Sequence, residues 1–328
     1  MITQTLSAHG YRYLFGPVFS RRLGRSLGID LLPYKTCSLD CIYCECGSTT
    51  DLSSTLGELV PVEAVLAELD AYLSQRPPLD FVTFAGSGEP TLHAGLGRII
   101  SHIKRRHPGY KVAVLTNGTL FSNADVCDAV KLADLLVPSL DAATAESFAT
   151  INRPAPGITV DSVIDGLIAL RQGYKGTFIL EIFIVPGVND FSTEVAALKS
   201  AALRIGPDAV QLNRLDRPGI VPWVSQASFE LLASIEEQLQ PLTVFQVRCR
   251  EAGETRRMDD AQIQAAILSR LAKRAFDTTT LAFLVGLNEG LVAKHVNQLL
   301  ADGRLRRVST TSTLAELPQT RLVVEHAI

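Results

Sequence analysis

Short apolar runs alternate with segments of helical periodicity from about residue 26 to residue 250. Strands are predicted at 26–32, 80–86, 111–117, 135–141, 177–185 and 208–214, with a further candidate at 243–248. Most are continuous apolar runs, which is typical of parallel strands buried on both faces. Amphipathic segments such as 62–73 lie between them. Repeated β-α units of this kind predict a parallel barrel or a doubly wound sheet.

Polar and glycine residues gather just after the predicted strand ends, at 86–90, 117–118, 139–141, 186–190 and 212–219. The carboxyl ends of the strands form the face at which α/β folds bind their ligands. We therefore expect the functional site at this face.

The pattern changes after about residue 257. Helices are predicted at 261–275, 277–286 and 289–303, and a hairpin at 304–310 and 319–325. Three helices followed by a ribbon is the order of a winged helix-turn-helix. With the boundary placed near Glu254, the chain is predicted to contain one domain over 1–254 and a second over 255–328.

The composition fits a globular protein, with 328 residues, 47% hydrophobic and 20% charged. Lys and Arg number 31 against 34 Asp and Glu, a net charge of −3, so no global positive field attracts polyanions. The first residues lack the apolar run of a signal peptide, and no segment reaches the roughly 18 apolar residues of a membrane span. We expect a cytoplasmic protein without a membrane partner.

The chain has six cysteines, of which Cys127 and Cys249 are isolated. The other four fall within ten residues: Cys37, Cys41, Cys44 and Cys46. A disulfide framework is not expected in a reducing compartment, so this clustering predicts a metal site.

Cys37, Cys41 and Cys44 form a C-x3-C-x2-C pattern. Three thiolates can hold three irons of a [4Fe-4S] cluster and leave one iron open to a small molecule, which implies catalysis. Two alternatives are a zinc site in which Cys46 is the fourth ligand and a redox-active dithiol. The zinc site is disfavoured because Cys44 and Cys46 are separated by one residue and no distant cysteine pair completes it.

This spacing, with Tyr43 before the third cysteine, resembles the signature of radical S-adenosylmethionine (AdoMet) enzymes. The segment GSGEPT at 86–91 resembles the motif that lines the methionine amino group of AdoMet in that family, with Ser87 in place of a more usual glycine. The resemblance implies a partial (β/α)6 barrel, a [4Fe-4S] cluster and AdoMet as cofactors. It implies an AdoMet site lined by Tyr43, Gly86, Gly88, Glu89, Asn117 and Ser139.

For Asn117 and Ser139, roles as turn and helix-cap residues are the alternative. The segment 185–190 would contact the adenine through its backbone. Glu181, within an apolar run, is either a satisfied carboxylate of the barrel core or an active-site group. The sequence assigns no catalytic side chain.

The stretch 15–47 closely resembles the branch of this family classed with the wyosine synthases, which rebuild a guanine base in tRNA, and the likeness runs on through residues 217–219. Those enzymes hold a second cluster through upstream cysteines, whereas this chain has none before Cys37. The resemblance implies that AdoMet is cleaved reductively to a 5′-deoxyadenosyl radical, which abstracts hydrogen from a substrate. The electron would come from a reductant such as flavodoxin or ferredoxin.

Residues 259–328 contain eight Lys and Arg against seven Asp and Glu, a net of +1. Their polar and basic residues include Lys294, Asn297 and Gln298 on the third helix and Arg304, Arg306, Arg307 and Arg321 on the ribbon. Three interpretations of these side chains are open. They contact the phosphates of a nucleic acid, they form the solvated face of a docking module, or they flank a peptide held against the ribbon.

Three hypotheses for the function therefore stand together. The first is a radical AdoMet enzyme that modifies an RNA base. The second is a radical AdoMet enzyme that modifies or activates a polypeptide, which the missing upstream cysteines favour. The third is a DNA-binding regulator that senses AdoMet or redox state.

Overall fold

The computed structural model describes residues 10–20, 22–247, 259–271, 276–285, 287, 289–310 and 319–324. The chain divides into two compact units. The larger unit contains the described residues up to Phe19 and Arg25–Val247, and the smaller contains Ser20–Gly24 and the C-terminal part of the chain. The predicted boundary at Glu254 lies outside the described residues, as does Cys249.

The strands of the larger unit are β1 (Leu14–Ser20), β2 (Gly24–Ile29), β3 (Thr36–Cys37), β4 (Asp51–Leu52), β5 (Phe81–Phe84), β6 (Lys111–Thr116), β7 (Leu135–Pro138), β8 (Thr177–Phe183), β9 (Ala209–Asn213) and β10 (Val244–Gln246). Eight of them form one sheet in the order β1-β2-β5-β6-β7-β8-β9-β10, while β3 pairs with β4. Every pairing from β2 to β10 is parallel.

The strand order follows the chain order from β2 to β10. A doubly wound sheet would reverse its order at a switch point, whereas a barrel wall does not. Six crossovers join these seven parallel strands, and β1 and β10 form the two edges of the sheet. The predicted mixed α/β class with a parallel sheet is confirmed, and the arrangement is consistent with an open partial barrel.

The helices of the larger unit are α1 (Val62–Leu73), α2 (Leu96–Arg106), α3 (Ala124–Val130), α4 (Ala145–Ile151), α5 (Val160–Gly173), α6 (Ser192–Ile205) and α7 (Phe229–Gln238). The first coincides with the predicted segment 62–73 and buries Val62, Val65 and Leu69 at helical spacing. Thr159 begins α5 with a capping box that includes Ser162. The apolar helix faces pack in one core with the sheet.

The predicted strands are all present, and most are shorter than predicted at their carboxyl ends. The segment predicted at 135–141 ends as a strand at Pro138, and Ser139 keeps only an isolated bridge to Glu181. The final residues of these segments leave the sheet and form the loops of the carboxyl edge. Strand β1 was not predicted, because its Gly16-Pro17 pair is typical of a turn.

The smaller unit contains α8 (Asp260–Leu271), α9 (Thr278–Val285), α10 (Glu289–Ala301), β11 (Leu305–Thr310) and β12 (Gln319–Val324). The two strands are antiparallel, with Leu305 opposite Val324. Gly303 follows α10 with a φ of +69°, a conformation that favours glycine. The predicted order of three helices and a hairpin is therefore observed, except that residues 272–275 of the first predicted helix lie outside the described part.

Among the helices of the described residues, none combines the length and the apolar character that a bilayer crossing requires.

Candidate functional site

The four clustered cysteines lie on the segment between β2 and β4, after the carboxyl end of β2. Cys37 ends β3, and its carbonyl accepts a hydrogen bond from Ser53 N at 3.0 Å. A turn closed by Cys44 N and Cys41 O, at 3.0 Å, follows. The strand pairing and the turn together place the thiols of Cys37 and Cys44, which are seven residues apart in the chain, on one loop.

Each of the three predicted ligand sulfurs accepts a hydrogen bond from a side-chain nitrogen. Asn117 Nδ2 lies 3.6 Å from Cys37 Sγ, and Asn152 Nδ2 lies 3.4 Å from Cys41 Sγ. Lys35 Nζ donates to Cys44 Sγ at 2.9 Å. Donors directed at sulfur stabilise a thiolate, the form that binds metal.

Cys46 differs from these three cysteines. Its thiol donates to the Gly86 carbonyl at 3.5 Å, and none of the described side chains donates an N–H to its sulfur. The Cys41 thiol also donates to a carbonyl, that of Asn152 at 3.9 Å, but its sulfur accepts from Asn152 Nδ2 as well. The S–H group of Cys46 is also directed at Cys44, and this hydrogen bond is the main factor that lowers the pKa of Cys44 to about 5, while the Lys35 ammonium acts in the same direction. Cys46 therefore supports a ligand thiolate from outside the predicted set of three.

Burial has the opposite effect on the pKa values of Cys37 and Cys41, the other two predicted ligands. It raises the pKa of Cys37 to about 11 and that of Cys41 well above its usual range. A raised pKa favours the protonated thiol, so that binding of a metal ion to these sulfurs would release protons.

No three of the four clustered sulfurs lie within 4.8 Å of one another. In a tetrahedral zinc site, with Zn–S bonds of about 2.3 Å, neighbouring sulfurs are about 3.8 Å apart. Among the described residues, the one group of three cysteine, histidine or carboxylate ligand atoms within 4.8 Å of one another is Asp70, His102 and His107, and it contains no cysteine. The zinc alternative is not supported by this geometry.

The predicted glycines bring the loop after β5 against the cysteine segment. A Cβ on Gly88 would lie 1.7 Å from Thr36 O, so no side chain fits there. Gly86 has a φ of +154°, and a Cβ there would lie 2.4 Å from Asp30 Cγ. Ser87, which replaces a glycine of the family motif, donates through N and Oγ to Asp30 Oδ2 at 3.0 and 2.8 Å.

Glu89 is 2% exposed, and its carboxylate is fully engaged within the protein. Oε1 accepts from Thr91 N, Thr91 Oγ1 and Thr116 Oγ1 at 3.0, 2.5 and 2.7 Å, and Oε2 accepts from Asn117 N at 2.7 Å. Burial raises the pKa of Glu89. The carboxylate therefore holds the loop after β5 against the end of β6. It also fixes the backbone of Asn117, whose side chain donates to Cys37 Sγ.

Tyr43 is held by Asp141, whose side chain is buried. The hydroxyl of Tyr43 donates to Asp141 Oδ2 at 2.6 Å, and its ring stacks on Phe183 at 3.8 Å. The same carboxylate accepts from Asn152 Nδ2 at 2.8 Å and from Phe183 N at 2.9 Å. Burial raises the pKa of Asp141 to about 6. Asp141 thereby joins the cysteine segment to β8.

A cavity of about 40 Å³ brings three of the predicted residues together: Tyr43, Asn117 and Ser139. Asp141 and Asn152 also line it. Glu181, on the neighbouring strand, accepts hydrogen bonds from Gln211 and from Asn213, the latter at 3.3 Å. In 185–190, the buried Asn189 donates to the carbonyls of Asp141 and Phe183.

The sequence missed four residues of this network: Asp30, Lys35, Asp141 and Asn152. Asp141 lies two residues after Ser139 in the predicted strand-end segment 139–141, and this position is the one sequence signal that points to it. Of the cysteines predicted to be isolated, Cys127 donates to Phe121 O at 3.2 Å.

The open parallel sheet and the loop of clustered thiols at its carboxyl edge define an α/β protein with a candidate iron-sulfur site. The chain belongs to the Radical SAM superfamily, whose family model matches residues 31–198. It is therefore a radical SAM enzyme, and its cofactors are a [4Fe-4S] cluster and AdoMet. The side-chain N–H groups that donate to Cys37, Cys41 and Cys44 suit thiolate ligands, so these residues fit such a cluster. Enzymes of this superfamily also need an electron donor.

Two relatives and one solved structure show the extent of the likeness. The chain is 40% identical over 199 residues to a Brachyspira hyodysenteriae protein named GTPase Obg, covering 61% of this chain and 29% of that protein. It is 32% identical over 234 residues to the UPF0026 protein of Helicobacter pylori, covering 71% and 73%. A radical SAM methyltransferase from Sphaerobacter thermophilus shares the fold, with a TM-score of 0.51, 18% identity and coverage of 67% and 65%. The chain thus spans less than a third of the first relative.

Proposed function

We propose that Cys37, Cys41 and Cys44 hold the cluster. The observation that supports this assignment is that each of the three sulfurs accepts a side-chain N–H hydrogen bond, whereas none of the described side chains donates an N–H to Cys46 Sγ, which itself donates to a carbonyl. In this proposal AdoMet is lined by Tyr43, Gly86, Gly88, Glu89, Asn117 and Ser139. The bound cluster and AdoMet together supply a 5′-deoxyadenosyl radical that abstracts hydrogen from the substrate.

The chain's own residues orient the site. Asn117 and Asn152 hold two ligand sulfurs from the loops after β6 and α4. The buried Lys35 ammonium offsets the negative charge of the third ligand sulfur, that of Cys44, and also donates to Gly47 O at 2.7 Å. Tyr43 and Asp141 fix the loop against β8 and exclude water from one side.

We further propose that the smaller unit is a winged helix that binds nucleic acid. Lys294, Asn297 and Gln298 are exposed on α10 at positions i, i+3 and i+4, and so share one helix face. Arg307 Nη2 donates to Asn297 Oδ1 at 3.5 Å, which makes the helix face and the ribbon one polar surface.

Arg304 and Arg306 extend this surface with exposed guanidinium groups. Arginines that flank an exposed polar helix suit phosphate contacts combined with base contacts. The side chain of Arg321, also predicted to be on the ribbon, lies outside the described part.

The substrate proposed is therefore a base within RNA, in line with the likeness to the wyosine synthases that begins in residues 15–47 and runs through 217–219. The reductant proposed is a flavodoxin or ferredoxin. The domain assignment of 1–254 for radical chemistry and 255–328 for docking belongs to the same proposal.

The test is anaerobic reconstitution followed by measurement of 5′-deoxyadenosine with RNA, with a peptide library, and without substrate. We expect RNA to stimulate release and to bind with strong salt dependence. The double variant Arg306→Ala with Arg307→Ala should bind more weakly, with a salt slope lower by about 0.7 to 0.9 for each lost phosphate contact.

The matched control is Arg105→Ala with Arg106→Ala, another adjacent and exposed arginine pair, which lies on α2 of the larger unit. It should leave RNA binding unchanged. RNA affinity that is absent or independent of salt would refute the nucleic-acid assignment, and stimulation by peptides alone would favour a polypeptide substrate.

A further inference from the structure

Two histidines and a carboxylate converge on the outer helices of the larger unit, at residues that the proposed reaction does not use. His102 Nε2 lies 2.9 Å from Asp70 Oδ1, and His107 Nε2 lies 2.7 Å from the same oxygen. One ligand atom from each of the three residues lies within 4.8 Å of the other two. All three residues are partly buried.

The three residues come from two helices. Asp70 lies in the last turns of α1, His102 lies in α2, and His107 is the residue that caps the end of α2. These two helices lead into β5 and β6, so their carboxyl ends lie at the amino edge of the sheet. The cysteine segment follows the carboxyl end of β2, at the opposite edge. This group is therefore separate from the cluster site.

We propose that Asp70, His102 and His107 bind one divalent transition-metal cation such as Zn²⁺. Two imidazole nitrogens and one carboxylate oxygen are a ligand set that such ions take in proteins, with water completing the coordination. At metal–ligand bonds of about 2.1 Å the donor atoms are about 3.4 Å apart in a tetrahedral site. The observed separations need to open by roughly half an ångström.

The geometry supports this assignment because both Nε2 atoms point at one oxygen. Without an ion, each ring must place a proton between its Nε2 and Oδ1, so two donors share one acceptor atom. A cation would displace both protons, and each Nε2 atom would then donate its lone pair to the cation. It would then fasten the end of α1 to the end of α2.

A salt bridge joins the same two helices elsewhere and provides a matched comparison. Glu63 of α1 pairs with Arg98 of α2, and both side chains are largely exposed. This pair links α1 to α2 with charge but contains no histidine. Its loss should leave metal binding intact.

The experiment uses the full chain with its cluster already reconstituted, so that the cysteines are occupied when Zn²⁺ is added. We expect equilibrium dialysis and elemental analysis to show one zinc ion per chain. Zinc at 100 times its dissociation constant should raise the ratio of folded to unfolded protein about 100-fold, measured by chemical unfolding. Asp70→Asn, His102→Gln and His107→Gln should each lose this zinc, whereas Glu63→Gln should keep it.

A second measurement needs no variant. Zinc should protect His102 and His107 from modification by diethyl pyrocarbonate, read by mass spectrometry, but should leave the exposed Lys294 unaffected. Zinc uptake that is equal in the wild type and in the three ligand variants, or the absence of protection at both histidines, would overturn the proposal. The remaining interpretation would then be two histidines that serve only as hydrogen-bond donors to Asp70.

Discussion

Replacing Glu89 by Gln tests whether a fully buried carboxylate controls the AdoMet site through Asn117. The carboxylate accepts hydrogen bonds from two backbone N–H groups, those of Thr91 and Asn117, and from two hydroxyls. The glutamine amide keeps one oxygen, which can serve Thr91 and Thr116. Its NH2 group then faces the Asn117 N–H, donor against donor.

A buried donor left without a partner costs about 1–3 kcal/mol. We expect Glu89→Gln to lower the free energy of unfolding by about this amount, less whatever is regained by removing a buried charge. Asn117 would lose the bond that positions it beside Cys37. We therefore expect AdoMet affinity to fall about tenfold, which corresponds to about 1.4 kcal/mol, with iron content unchanged.

The assays are calorimetric titration of AdoMet into the reconstituted protein and urea unfolding monitored by circular dichroism. Glu68→Gln is the matched control, because Glu68 accepts hydrogen bonds from the backbone N–H groups of Arg12 and Tyr13, both at 2.9 Å, away from the cysteine segment. It should reduce stability without changing AdoMet affinity. Unchanged AdoMet affinity in Glu89→Gln, or an equal loss in Glu68→Gln, would refute the reasoning.

Three further predictions follow from the same contacts. Cys37→Ala, Cys41→Ala and Cys44→Ala should each abolish the visible absorbance of the cluster and AdoMet cleavage, whereas Cys46→Ala should retain iron; a Cys46→Ala protein without iron would contradict the three-ligand assignment. Lys35→Met should make the cluster's reduction potential more negative in a redox titration, because a buried positive charge beside Cys44 favours the added electron; a higher potential would contradict this. A chain ending at residue 254 should fold, assemble its cluster and cleave AdoMet slowly without substrate, and loss of iron on truncation would show that the two units are not independent.

The sequence alone determined the features that depend on local periodicity and short spacing. Continuous apolar runs identified the parallel strands, because strands buried on both faces have no polar side to alternate with. The period of 62–73 identified α1 because six residues on one face of that helix are buried. The three cysteines predicted to be cluster ligands were found because they lie within eight residues of one another on one loop.

The tertiary structure decided which distant residues support that loop. Asn117 reaches Cys37 across 80 residues of sequence, and Asn152 reaches Cys41 across 111. No spacing in the chain reveals such pairs, since the order of the strands in the sheet sets them. The same reason explains why the sequence does not reveal the role of Asp141. It also explains why Asp70, on α1, contacts His102 and His107 near the end of α2. Each contact exists only once the parallel strands have placed their loops and helices side by side.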